Sequence, residues 1–270
     1  MTLDRLFHYQ PFVEAHLISL LSVGKLKLSR PDRFNDPWDC RVHYQIPTDP
    51  EERKRLVAYL AEVHRKHHPS ISEAERKRRA NEFMSNPSKL EAAIAQNEKE
   101  LYAAICNQYR VYCLTEEPAS PRMWAHYAAS HTGICLEFAS RSAPFTEVLA
   151  PLAGGLCKVE YRTTYPAYDM VGGGFHALFT KSEDWSYEAE WRLIAEERGF
   201  ARSPSTLKTD NEFLTLPSGV LKSVTIGCLT DESSRQRIEH LVSTNAPGVL
   251  VRHAALMPDR YELRINPPIR

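Results

Sequence analysis

The chain has no surplus of charge of either sign: thirty-four Lys and Arg balance thirty-four Asp and Glu. No global field therefore draws it to nucleic acid or to an anionic membrane, and any such partner must be met by a local patch. It also lacks an apolar run of about 18 residues. Its opening, MTLDRLFHYQ, has no basic segment followed by an apolar one. A cytoplasmic protein, neither secreted nor membrane-spanning, is expected. The six cysteines (Cys40, Cys106, Cys113, Cys135, Cys157 and Cys228) are scattered and form no CxxC pair, which excludes a zinc ribbon and suits reduced thiols. Neither GxxxxGK[ST] nor GxGxxG occurs, which argues against a phosphate-loop nucleotidase and a Rossmann domain.

What remains is a chain of 270 residues, 43% hydrophobic, with enough apolar surface to bury a core. The expected fold class is α+β, a single domain over residues 1–270 with a helical insertion at 51–105. Arg5 to Gln10 alternates as a short strand, with Phe7 and Tyr9 on one face and Leu6, His8 and Gln10 on the other. Val13, Leu17, Leu20 and Leu21 follow helical spacing, and Gly24 stops that helix. A second short strand is expected at Leu26 to Ser29. RPDRFNDPWDC (Arg30 to Cys40) reads as an ordered loop anchored by Phe34 and Trp38.

Residues 51–105 carry eleven Lys/Arg and nine Asp/Glu, with breaks near Pro69 and Pro87. They predict two or three salt-bridged surface helices, with RKHHP and ERKRR as a basic face for a nucleic-acid or acidic partner in the alternative. Strand signals return at Tyr109 to Thr115. Ser120-Pro121 then caps a helix carrying Trp124, His126 and Tyr127, and GICLEF (Gly133 to Phe138) is another strand. Short strands follow at Cys157 to Tyr161, Trp191 to Ala195, Val220 to Gly227, Val249 to Ala254 and Tyr261 to Ile265, with a helix near Asp231 to Ser243. Gly172 to Gly174 reads as a flexible turn or lid hinge.

The densest chemistry lies in KSEDWSYEAEWRLI (Lys181 to Ile194). On a strand, Glu188, Glu190 and Arg192 share one face, exposed and charged, while Tyr187, Ala189, Trp191 and Leu193 take the other. Two carboxylates about 7 Å apart repel unless a cation or a substrate hydroxyl sits between them. Trp124, His126 and Tyr127 offer either a ring-stacking surface for a nucleobase or nicotinamide or simply helix core.

In order, FNDPWDC, MWAHYAASHTGICLEF and WSYEAEWRLI resemble the hallmarks of a large, mostly prokaryotic family catalogued as domain of unknown function twenty-nine seventy-one, over about residues 5 to 228. That family name carries no activity. A more distant resemblance, through LFHYQ, YCLT and Glu188-Ala189-Glu190, is to the ADP-ribosyltransferase superfamily. It implies a strand-rich split-sheet core, NAD as co-substrate and a bacterial toxin or anti-phage defence setting. It further implies Glu190 as the catalytic glutamate, Glu188 orienting the acceptor, His8 on a ribose hydroxyl of NAD, and Tyr127 or Trp124 against nicotinamide. Tyr9, Thr115, His126 and Arg30 complete the implied NAD-binding set, with Arg33, Arg122 and Lys181 as other candidates for the pyrophosphate. The acceptor (nucleic acid, protein, small molecule or water) and the oligomeric state stay open. The chain departs from the superfamily in having no Ser-Thr-Ser triplet on its middle strand.

Two other readings compete. Asp36, Asp39, Glu188 and Glu190 supply oxygen ligands for the Mg2+ of a nuclease, although Arg192 stands where such sites use lysine. A non-catalytic module binding nucleic acid or protein through the aromatic helix and the charged insertion is the other. His64, His67 and His68 have zinc-like helical spacing without a fourth ligand, and Cys113 or Cys135 with His126 is the thiol alternative.

Overall fold

The computed structural model describes residues 4–140, 155–166, 175–199 and 207–268. The Gly172 to Gly174 turn lies outside the described residues. A mixed sheet of nine strands forms the body, with the order β13-β12-β11-β4-β1-β3-β8-β5 and β9 added beside β8. These are β1 (Arg5–Gln10), β3 (Tyr109–Thr115), β4 (Ile134–Ala139), β5 (Gly155–Lys158), β8 (Glu190–Glu197), β9 (Lys208–Thr209), β11 (Leu221–Ile226), β12 (Leu250–Leu256) and β13 (Leu263–Ile265). The pairs β11/β12 and β8/β9 are parallel, and the other ladders are antiparallel. Two small sheets join β2 (Lys25–Lys27) to β10 (Phe213–Thr215) and β6 (Glu160–Arg162) to β7 (Thr180–Ser182). The α+β expectation therefore holds. The single strand expected from Cys157 to Tyr161 breaks at Val159, and its second half pairs with β7 outside the main sheet.

Strand alternation sends side chains to two covered faces. Leu6, Leu114, Leu136, Phe138 and Leu193 face one way and pack with α1 (Glu14–Val23) and α6 (Glu232–Asn245). Gly24, at φ 67°, closes α1 with its N–H on the Leu20 carbonyl, as a left-handed stop requires. On the opposite face Tyr9 and Cys135 pack against α5 (Pro121–Tyr127) through Met123 and Trp124. Further along that face, Val111 and Ile194 meet the insertion.

The insertion comprises α2 (Pro50–His67), α3 (Glu73–Met84) and α4 (Pro87–Gln108). Each helix starts on a side-chain cap, from Asp49, Ser72 and Asn86, which satisfies backbone N–H groups that have no helical partner. Its outer surface carries the expected charge pairs, such as Lys77 with Glu73 and Arg79 with Glu75. Its inner surface is apolar: Leu56, Met84, Leu90, Ile94 and Ile105 are buried against the sheet. The rings of His64 and His68 lie 5.9 Å apart, and among the described residues they belong to no group arranged to hold a metal ion.

The middle of the sheet is where the fold makes room. β1 holds β4 over six residue pairs, from Arg5↔Ala139 to Gln10↔Ile134, but touches β3 in register only at Phe7↔Thr115. Beyond that pair the two strands part. Across the gap the His8 ring stacks on Tyr112 at 3.9 Å and its Nδ1 lies 2.6 Å from the Cys113 carbonyl oxygen. This opening positions the site described below.

The chain from α5 to β4 turns through Ala129, Ser130 and His131, all at positive φ, and returns at Gly133. A Cβ on Gly133 would sit 2.4 Å from the Gln10 carbonyl oxygen and 2.9 Å from that of Ala128. Both are backbone atoms that cannot swing aside. Gly133→Ala is therefore expected to lower the unfolding free energy by about 3 kcal/mol or more, at the upper end of overpacking costs, measured by urea denaturation.

Candidate functional site

Glu188 and Glu190 do not share a strand face, as the alternation of the sequence suggests. Residues Glu183–Glu188 form a 3-10 turn capped by Ser182, Ala189 takes a left-handed conformation at φ 43°, and β8 begins only at Glu190. A side chain other than glycine in that region carries a strain of about 1 kcal/mol, so surrounding contacts must hold it. The Thr115 hydroxyl donates to the Glu188 carbonyl at 2.5 Å and accepts from the Glu117 N–H. The Tyr161 hydroxyl accepts from the Glu190 N–H at 2.8 Å.

The charged row is also not exposed. Glu190 and Arg192 are 2% and 0% accessible. Arg192 grips Asp39 with two parallel bonds of 2.8 and 2.7 Å, holds Glu190 at 2.9 and 3.1 Å and donates to the Leu178 carbonyl. Lys181 reaches Glu188 at 2.5 Å, Glu190 at 3.2 Å and Asp39 at 3.8 Å. Tyr127 donates its hydroxyl to the other oxygen of Glu188. Three carboxylates thus meet two cations in a buried space, and ionic groups persist there only because each is paired.

The two glutamates are driven apart electrostatically. Burial works against the charge of Glu190, yet Arg192 and Lys181 outweigh it and hold its pKa down at about 2. For Glu188 burial prevails and raises the pKa: Lys181 and Tyr127 oppose the rise, and the nearby charge of Glu190 adds to it. Arg192 and Lys181 thus hold one carboxylate ionised, while burial makes its neighbour the weaker acid. Burial also lowers His8 to about 4 against the pull of the Cys113 carbonyl, so the imidazole is neutral near pH 7.

Glu188, Glu190, Asp39 and Lys181 line a cleft of about 560 Å³ that runs from the gap between β1 and β3 to β2. Of the residues singled out in the sequence, His8, Tyr9, Thr115, His126, Tyr127, Glu188 and Glu190 all line it. Tyr9 and Thr115 do so with hydroxyls already committed to the chain, on the Glu117 and Glu188 carbonyls. Trp124 is fully buried in the α5 core, its indole N–H on the Pro118 carbonyl. Arg30 lies outside the lining and pairs with Asp32. Arg122 is stacked on the Tyr187 ring, whereas Arg33 does line the cleft and pairs with Glu212.

The structure adds residues that sequence reasoning passed over. His16, Lys25 and Lys27 line the cleft from α1 and β2. Trp185 and Tyr187 stand with His126 in a triangle of rings, centroids 6.1 to 6.4 Å apart. Their only sequence signal was proximity to the two glutamates. Phe34 anchors its loop as expected, lining the cleft with its ring 5.4 Å from the Arg192 guanidinium carbon. Trp38 does not anchor it, because Asp36 fixes the turn by accepting the Trp38 N–H and leaves the indole outside.

The Mg2+ reading fails on this geometry. The space between Asp39, Glu188 and Glu190 is filled by the ammonium of Lys181 and the guanidinium of Arg192, and Asp36 is turned to the Trp38 N–H. Among the described residues no group of His, Cys, Asp and Glu is arranged to hold a metal ion. The thiol reading is disfavoured too, since burial raises both Cys113 and Cys135.

Arg192→Met leaves Asp39 and Glu190 buried with only Lys181, and is expected to cost about 3 to 5 kcal/mol in chemical denaturation; pairing it with Asp39→Leu should recover part of the loss. His8 has a folded pKa of about 4 against an ordinary 6.5. The unfolded chain therefore binds the extra proton between those values, and stability falls as pH drops from 6.5 to 4. His8→Phe should flatten the pH dependence of the melting temperature in that window.

Comparison with known proteins gives this chain no relative: no family model, no curated protein and no solved structure matches it.

Proposed function

We propose that the cleft binds NAD and breaks its nicotinamide–ribose bond, passing ADP-ribose to an acceptor in the manner of an ADP-ribosyltransferase. The observation that carries this reading is the pair of buried carboxylates at one end of the cleft, Glu190 bonded to Arg192 and Lys181 and Glu188 to Lys181 and Tyr127, environments that hold the first ionised and raise the second. Environments that split two like groups in this way assign them separate acid–base roles.

Charge along the cleft supports the same ligand. Fully ionised, the floor carries one negative charge in excess, from three carboxylates against Lys181 and Arg192. The rim carries His16, Lys25, Lys27 and Arg33. NAD is cationic at its nicotinamide ring and anionic at its pyrophosphate, so it complements both ends.

In the proposed reaction the bond between ribose C1′ and the ring nitrogen breaks, and nicotinamide leaves neutral with the electron pair. The positive charge that develops on the ribose faces the ionised Glu190, which stabilises it. The acceptor nucleophile bonds to C1′ and gives its proton to Glu188, whose raised pKa makes it the better base. His8 would donate Nδ1–H to the Cys113 carbonyl and present Nε2 as an acceptor for a ribose hydroxyl. Tyr127 and Lys181 orient Glu188, and Thr115 holds its backbone.

The test is purified protein with NAD, with nicotinamide release followed by chromatography and binding by calorimetry. Glu190→Gln is expected to lower release at least a hundredfold. The rate should rise with pH as Glu188 loses its proton, and Glu188→Gln should remove that limb. Neither binding nor release at millimolar NAD would overturn the proposal.

A further inference from the structure

The buried ion cluster has a second side. Asp39 and Lys181, which close the first cleft, also line a separate cavity of about 290 Å³. Its other walls come from the loop that follows Phe34, from residues 162–166 and from Ala177, Thr180, Ser182 and Asp184 around Lys181. Two polar side chains therefore serve two spaces, and the second has no part in the chemistry proposed above.

The lining of this cavity is aromatic and carries both charges, with Arg41 and Arg162 beside Asp36 and Asp184. Trp38 is 66% exposed, although it is held in an ordered turn: its N–H donates to Asp36 at 2.9 Å, and its carbonyl accepts from Arg41 and from the Tyr165 hydroxyl. Tyr165 is also exposed, and its hydroxyl bonds the Arg41 carbonyl at 2.8 Å. A rigid loop that presents a large indole to solvent forgoes the free energy of burying it, about 2 kcal/mol or more for a ring of that size. Arg41, which also lies over the Tyr102 ring and donates Nε–H to the Pro37 carbonyl, and Arg162, which pairs with Glu160 at 2.7 Å, line the same cavity and keep further guanidinium N–H groups for a ligand.

We infer that this cavity binds a nucleotide unit, with the base stacked on Trp38 beside Tyr165 and its phosphate met by Arg162 and Arg41. Rings that offer a π-face with guanidinium groups beside them bind bases with little regard to sequence. Asp39 and Lys181 close the floor, held in the ion cluster by Arg192, Glu188 and Glu190. A free nucleotide and a nucleotide within a single strand present the same chemistry here.

The test titrates the full chain with AMP and, separately, with a ten-residue single-stranded deoxythymidine oligomer, following tryptophan fluorescence and calorimetry. Wild-type protein is expected to bind at least one of them with quenching. Trp38→Ala should weaken that binding about tenfold or more, and Arg162→Gln should weaken it and reduce its dependence on salt. Quenching by AMP identifies a free nucleotide as sufficient, and quenching by the oligomer alone identifies a nucleic-acid strand. Trp38 lies outside the first cleft, so Trp38→Ala should leave NAD binding unchanged. Loss of oligomer or AMP binding in that variant supports the inference even if NAD is never cleaved. No quenching by either probe at millimolar concentration, or equal affinity in a normally folded Trp38→Ala protein, would overturn it.

Discussion

Arg192 is the group on which the rest of the site depends. Its guanidinium is fully buried and ties Asp39 from the loop after β2 to Glu190 at the start of β8. A guanidinium in such a place is stable only with its charge matched and its donors used. That demand draws in Asp39, which brings its loop and Phe34 over the sheet. Lys181 then faces three carboxylates, with Glu188 the least well compensated. The raised pKa of Glu188 comes first from its burial, and the ionised Glu190 that Arg192 and Lys181 secure adds to it.

The second constraint is the parting of β1 and β3. A sheet whose strands pair along their whole length has no room for a ligand at its centre. Here one residue pair joins the two strands, and the His8 ring and the Cys113 carbonyl occupy part of the space left by the missing ladder. Residues from both faces can then line one cleft, and Glu190 at the head of β8, with Glu188 in the turn before it, lies at its end because β8 pairs with β3 as far as Thr115↔Glu190.

Much of the fold was legible because local physics specifies it. Gly24, Ser120-Pro121, Asp231 and the prolines of the insertion punctuate helices by backbone preference alone. The charge-rich insertion was readable as helix for the same reason, although its apolar inner face made it part of the core. The site was legible only in its membership. His8, Tyr127, Glu188 and Glu190 were grouped from motifs and resemblance, and they do line one cleft. Their environment was not legible. The alternation that put Glu188 and Glu190 on one face assumed a strand through Ala189, where the chain instead takes a left-handed turn.

The sequence by itself determined where helices lie along the chain, the strand-rich body, the absence of an unbalanced charge and the set of polar residues available for chemistry. These follow from residue type and spacing within a few positions along the chain. Only the tertiary structure decided that Arg192 is buried between Asp39 and Glu190, that Trp124 belongs to the core while Trp38 faces solvent, and that Lys25 and Lys27 share a cleft with Glu188. Desolvation and Coulomb interaction depend on distances between residues as much as 153 positions apart. Those distances are set by how the strands order themselves across the sheet, which no local pattern contains.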